Sequence, residues 1–291
     1  MTVSSSLPDR TPRRRATARS MPGHSRFVEQ LRWLGRMLLF SVEVVLSIPG
    51  TLLHHRREVG RLLADVAFGR GLLTVAASTV FVSALLAAVI GTQIGLEGLQ
   101  GLNIVGLAPL AGLLAAFGST RELAPLITAF GLAAQMGCRF TAQLGAMKIN
   151  GEVDALEVMS VSANRFLVTT RLIASSVMVV PMYLLALSGA YLASQLTVVF
   201  VAHQGSGTYL HYFYLFLSRS DVYYSILKVI VMATMITFIH CYYGMTADGG
   251  PEGVGRAAGR AIRASIVSIA AADMLMTLLF FGLDTGVKVS G

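Results

Sequence analysis

Charged residues are scarce in this chain. They make up 13% of its 291 residues, against about 25% in soluble globular domains. Whole stretches have none: residues 71–96 read GLLTVAASTVFVSALLAAVIGTQIGL, and residues 172–202 are also uncharged. About 20 such residues cross a hydrocarbon core of about 30 Å as helix. With 54% hydrophobic residues and a mean hydropathy of +0.67, the sequence describes an integral membrane protein. Strands that alternate polar and apolar residues are missing too, which excludes a transmembrane barrel and leaves helices.

Cysteine is nearly absent. Cys138 and Cys241 both end apolar runs and share no CxxC or metal-ligand spacing, so they read as buried free thiols. The six histidines are scattered; His54-His55 adjoins the basic Arg56-Arg57, and His240 reads as a packed or hydrogen-bonded helix residue. No GxSxG, HExxH or GxxxxGK[ST] motif occurs. Nothing in the chain therefore predicts an enzyme, a cofactor or a nucleotide site of its own. If ATP drives its function, a separate polypeptide must carry the ATP and Mg.

A net charge of +8 suggests nucleic acid until position is considered. Of 23 Lys and Arg, twelve precede residue 71, four lie between Arg139 and Arg171, and three between Arg256 and Arg263. That clustering is the positive-inside signal of a membrane protein, not a nucleic-acid surface. Residues 1–26 are rich in Ser, Pro, Thr and Arg without an apolar period and predict a disordered basic tail. In residues 27–48, Phe27, Leu31, Leu34 and Leu38 share one helical face beside Arg32, Arg36 and Glu43. The pattern predicts an interfacial helix stopped near Pro49-Gly50, with a linker to residue 70. No small-residue cleavage site follows, so a signal peptide is not expected.

Residues 71–291 then predict a five-helix domain. The first crossing is 71–96. Residues 98–138 are too long for one crossing at normal tilt and predict a short helical or re-entrant piece near 101–118, then one crossing to about 138. The remaining crossings fall at 172–202, 222–247 and 264–283, and the Tyr- and Phe-rich residues 203–221 predict an external loop in the aromatic belt. The N-terminus is expected in the cytoplasm and the C-terminus outside, in a multi-pass protein of the inner (plasma) membrane.

Three polar features interrupt the apolar pattern. Arg121-Glu122 lies between apolar runs, and Asp273 stands alone in the last one; such groups usually face a cavity or one another. The third is QLGAMKINGEVDALEVM at 143–159. As a helix it gathers Leu144, Met147, Val153, Leu156 and Met159 into an apolar patch, leaves Lys148, Glu152, Asp154 and Glu157 wet, and has a soft point at Asn150-Gly151. A short amphipathic helix on the inner side suits insertion into a groove of a soluble partner. Its surplus of carboxylates fits an anionic membrane surface poorly.

RELAPLITA (121–129), QLGAMKINGEVDALEVMS (143–160) and LVTTR (167–171), together with YYGMTADGGPEGVGRAAGRAIRASIV (242–267), carry a resemblance. They resemble the permease subunits of MCE-associated lipid ABC transporters, the MlaE/YrbE type, over roughly residues 30–288. The resemblance implies an interfacial N-terminal helix and five spans, with a cytoplasmic coupling helix at about 142–160 between the second and third. It implies an ATPase dimer touching Met147, Lys148, Glu152, Asp154, Leu156, Glu157 and Met159. It also implies a lipid cavity near Arg121, Glu122, Leu123 and Asp273, and MCE proteins forming an external tunnel. Gln143, Gly137-Cys138-Arg139-Phe140, Ala163-Asn164 and Thr170 depart from the family pattern. These departures speak against a symmetric homodimer, and the Arg-rich tail and YYGMTADGGPEGVG (242–255) resemble the second member of an actinobacterial pair, which implies a heterodimer with another permease. The expected function is import of a hydrophobic lipid such as a fatty acid, phospholipid or sterol. Two alternatives differ in class: a proton-coupled secondary transporter using Arg121, Glu122 and Asp273, and a structural anchor of an envelope complex.

Overall fold

The computed structural model describes residues 73–159 and 162–282, together with Gly35. The tail, the interfacial helix apart from Gly35, its linker, and the last nine residues lie outside the described residues. Seven helical runs follow one another: α1 (Leu73–Ile104), α2 (Ala108–Ile149), α3 (Glu152–Val158), α4 (Ala163–Leu196, extended by a wide turn over Thr197–Val201), α5 (Ser206–Phe216), α6 (Arg219–Met245) and α7 (Gly250–Phe281). Among the described residues there is no strand. Runs within α1, α2, α4, α6 and α7 are long and apolar enough to cross a membrane, which is the expected number.

The second crossing differs from expectation. The chain turns at residues 105–107, re-enters helix with Pro109 in its first turn, and then stays helical to Ile149. Those 42 residues would span about 63 Å as ideal α-helix, twice the hydrocarbon core, so α2 protrudes beyond it. The piece expected near 101–118 is the last turn of α1 and the first turns of α2. Continuity survives because two π-helical segments, Gly118–Leu123 and Ala133–Gly137, absorb irregularities without breaking the helix. The aromatic segment 203–221 is also more ordered than a loop. It forms α5, whose Tyr209 and Phe213 pack against Leu99, Ala111, Ala115 and Val198. α4 stays helical through Pro181.

The main core runs through α2, α4, α6 and α7, with Leu132, Leu144, Val168, Val179, Tyr183, Met232, Ile236 and Ile269 fully buried. Hydroxyls serve as interhelical ties: Tyr183 Oη donates to Ser225 at 2.7 Å, and Ser175 meets Thr237 at 2.8 Å. Lipid supplies no hydrophobic drive between helices, so close backbone approach at small residues matters more than in water. α1 lies on α4 with Gly91 against the backbone of Ala190, where a Cβ would collide with the carbonyl.

Polar ties also fix the two ends of the bundle. At one end Lys148 Nζ donates to the Met245 carbonyl at 2.8 Å, and Gly145 lies against Val254. The ends of α2 and α6 therefore meet the start of α7. At the other end Phe117, Phe216 and Phe281 gather round Arg121.

Gly91→Leu is expected to destabilise the detergent-solubilised protein by about 1–3 kcal/mol through overpacking. Gly101→Leu, where nothing lies within 4 Å, should leave the melting temperature unchanged. Thermal unfolding followed by fluorescence-detected gel filtration distinguishes the two.

Candidate functional site

Pro125 sets the local geometry. It has no N–H to give the carbonyl four residues back, that of Arg121, and its ring crowds that carbonyl. Residues Gly118–Leu123 widen into a π-turn at this point, a form often found at functional positions. The freed Arg121 carbonyl is taken by Lys228 Nζ of α6 at 2.8 Å.

Lys228 is fully buried, with 0% of its side chain exposed. Its ammonium also donates to Thr277 Oγ1 at 2.7 Å and to Glu122 Oε2 at 3.2 Å, and stands 2.7 Å from Asp273 Oδ1. Thr277 in turn donates to Glu122 Oε1 at 2.8 Å. Three helices thus converge on one ammonium. Buried charge is tolerated only where partners are close and well arranged, and here two carboxylates share one cation. Asp273 has 9% of its side chain exposed and Glu122 36%, so Glu122 is the member that opens outward.

The four cavity residues expected from sequence fall into three places. Glu122 and Asp273 come together through Lys228. Arg121 points away: its Nε and Nη2 donate to Asp221 Oδ2 at 3.1 and 2.9 Å, and its guanidinium lies over the rings of Phe117 and Phe281. Leu123 packs beside Ala87, Ile127, Ala186 and Ala190, between α1 and α4. Sequence reasoning missed Lys228, Thr277 and Asp221. A lone lysine in an apolar helix does demand a carboxylate from a neighbouring helix, and that signal pointed to Glu122 or Asp273.

The polar island forms an elbow. α2 ends at Ile149, Gly151 adopts φ +73°, and α3 begins at Glu152. The left-handed backbone suits glycine and turns α3 so that Val153 enters the core. The expected five-residue patch is therefore divided. Leu144 and Val153 are buried, Met147 and Leu156 pack partly against the core, and Met159 stays outside with Ile149 and Val158, the last 86% exposed. Glu152, Asp154 and Glu157 are exposed, two of them in the first turn of α3, where the helix dipole favours negative charge. Lys148 is occupied by the Met245 carbonyl, a cation at a helix C-terminus.

His240 is buried, with Nδ1 2.9 Å from Thr141 Oγ1, as expected of a packed residue. Cys241 is buried, Cys138 half-buried, and both thiols are free. Among the described residues no cluster of three His, Cys, Asp or Glu could hold a metal.

The described residues form an apolar helical bundle with a buried ion cluster and a polar elbow, and comparison with known proteins decides its family. The sequence profile named Permease MlaE matches residues 68–279. The chain belongs to the MlaE permease family. A protein of Rickettsia bellii described as a probable ABC transporter permease is 27% identical over 248 residues, covering 85% of this chain and 92% of the relative. The Arabidopsis thaliana chloroplastic protein TRIGALACTOSYLDIACYLGLYCEROL 1 is 28% identical over 192 residues, covering 66% and 55%. A probable ABC transporter permease of Porphyra purpurea, ycf63, is 34% identical over 137 residues, covering 47% and 52%. Family membership and five apolar helices identify a multi-pass membrane permease. The MlaE match spans the π-turn, the elbow and all five long helices.

Lys228→Met is expected to destabilise the protein by about 3–5 kcal/mol, because it strands two buried or half-buried carboxylates. Adding Glu122→Gln and Asp273→Asn should restore part of the loss, since neutral partners no longer repel. Melting temperatures of the single and triple variants in detergent test this, and a triple variant no better than the single would refute the charge argument.

Proposed function

We propose that this chain is the transmembrane subunit of an ATP-driven transporter that moves a hydrophobic lipid across the cell envelope. A separate ATPase dimer, carrying ATP and Mg, engages the elbow from the cytoplasm, and a second permease of the same type pairs with this one. MCE proteins form the path on the far side. The observation that carries the reading is the elbow: it displays Glu152, Asp154 and Glu157 beside exposed Ile149, Val158 and Met159, yet is rooted in the core by Val153 and Leu144. A rooted helix with an exposed apolar tip and acidic face suits a groove lined with basic residues. The names of the relatives, ABC permeases and a trigalactosyldiacylglycerol protein, support the same direction.

In this reading the permease does no covalent chemistry. It offers a cavity with two states, and a partner that binds one state better shifts the population between them. Glu122, the outward member of the ion cluster, stands nearest the lipid, and the apolar remainder of the cavity selects mainly by size. Import of a fatty acid, phospholipid or sterol is the direction and cargo class that the family resemblance supports.

A proton-coupled transporter is the second reading, favoured by one observation, the two carboxylates that share Lys228. The two readings part at the elbow. Purification of the full-length protein from its host membrane should bring down an ATPase and MCE proteins, with ATP hydrolysis in the eluate. Glu152→Arg with Glu157→Arg should remove the ATPase and about tenfold or more of that hydrolysis. Recovery of no ATPase with either form, and lipid uptake that follows the proton gradient, would sink the ATP-driven reading.

A further inference from the structure

A second polar feature lies at the end of the bundle that carries the elbow, in the first turns of α7 and well removed along that helix from Asp273. Thr246, Asp248, Glu252, Arg256, Arg260 and Arg263, with intervening glycines, line an open cleft of about 910 Å³, a size that suits a small-molecule ligand. Two consecutive glycines with positive φ, Gly249 at 90° and Gly250 at 71°, turn the chain from α6 into α7 and open the cleft. Its floor is bare. A Cβ on Gly255 would meet nothing within 4 Å, and one on Gly259 only a guanidinium nitrogen of Arg263.

The three arginines are spaced i, i+4 and i+7 and are all exposed, so they form one basic ladder. Glu252 engages Arg256 at 3.3 Å in an exposed pair, which is weak. Arg260 lies over the ring of Tyr243, and among the described residues neither Arg260 nor Arg263 has a carboxylate within ion-pair distance. Above the ladder the same exposed strip of α7 becomes apolar: Ile266, Val267, Met274, Leu275, Leu278 and Leu279. From Arg263 to Met274 the helix rises about 16 Å, close to half of a 30 Å hydrocarbon core. Guanidinium groups pair with phosphate in a fork geometry. A strip that is cationic for two turns and apolar for the depth of one leaflet therefore complements an anionic amphiphile along its whole length.

We infer that this cleft binds the phosphate headgroup of an anionic membrane lipid, whose acyl chain lies along the outer strip of α7. The site is separate from the Glu122–Lys228–Asp273 cluster. The inference needs the chain to sit in a bilayer but takes nothing from ATP coupling, so it stands or falls independently of the elbow. The chain's own first 70 residues, with twelve arginines, carry the wrong sign to fill the cleft.

The test uses the full-length protein in phosphatidylcholine nanodiscs with a trace of phosphatidic acid bearing a diazirine high on one acyl chain. The matching phosphatidylcholine analogue serves as comparison. Photolabel should map to α7 and be about tenfold stronger from phosphatidic acid. Arg260→Gln with Arg263→Gln should abolish that preference, and the corresponding double lysine variant should keep most of it. Equal labelling by both lipids in the unmodified protein overturns the proposal whether or not the glutamine variant folds. Abolition by excess inorganic phosphate would mark a site for a soluble anion and overturn the lipid assignment, whereas persistence supports it. Unchanged labelling in a folded glutamine variant that loses a co-purifying ATPase would make the cleft a protein-docking face, which also overturns it.

Discussion

The ammonium of Lys228 constrains the centre of this bundle. A fully buried cation away from water must be surrounded by acceptors, and those acceptors come from α2 and α7 as well as from the backbone of the π-turn. The irregularity and the charge require each other. Without Pro125 the Arg121 carbonyl would be spent inside its own helix, and without Lys228 it would be left unsatisfied in an apolar surround. Asp273 and Thr277, one turn apart on α7, complete the shell, so the relative rotation of three helices is fixed at this point.

Much of this was legible in the sequence because membrane burial writes itself into composition. Long apolar runs with few or no charges marked the five crossings, and the acidic island at 143–159 marked the elbow. Glu122 and Asp273 stood out as charges in apolar company. Lys228 was passed over, because a charge near the end of a span reads equally as a snorkelling side chain, and its burial depends on how α6 meets α2. The separation of Arg121 from Glu122 was hidden for the same reason: adjacent residues on a helix point in different directions, and here one meets Asp221 while the other meets Thr277.

The elbow shows a different limit. Helical periodicity predicted one apolar patch from Leu144 to Met159, but a single left-handed residue at Gly151 changes the phase of everything after it. Val153 therefore goes inward and Val158 outward. The glycine was visible, and its rotation was not. Likewise the length of 98–138 argued for two pieces, because a helix longer than the bilayer is improbable for an isolated span. Packing of Tyr209 and Phe213 on the first turns of α2 gives the protruding end something to lie against.

Ties from α2 to α6 run along their whole length, among them Arg121 carbonyl to Lys228, Thr141 to His240, and Lys148 to the Met245 carbonyl. The residue numbers rise together along both helices, so the pair runs parallel. Both helices point the same way, from the ion cluster toward the elbow. A parallel pair tied at both ends and in the middle resists sliding, and a displacement applied at the elbow moves both helices together. α7 meets this pair at both ends, through Gly145 against Val254 and through Asp273 and Thr277. Its outer strip carries no such ties, and among the five crossings α7, like α1, has the least of its most apolar stretch buried, 22%. The stiff pair and the exposed strip of α7 are thus distinct, and they share one contact with a charge that opens outward, Glu122. Because the tied pair grips α7 at the ion cluster as well as at Gly145 and Val254, a displacement of the pair is felt by α7 at both ends rather than at one.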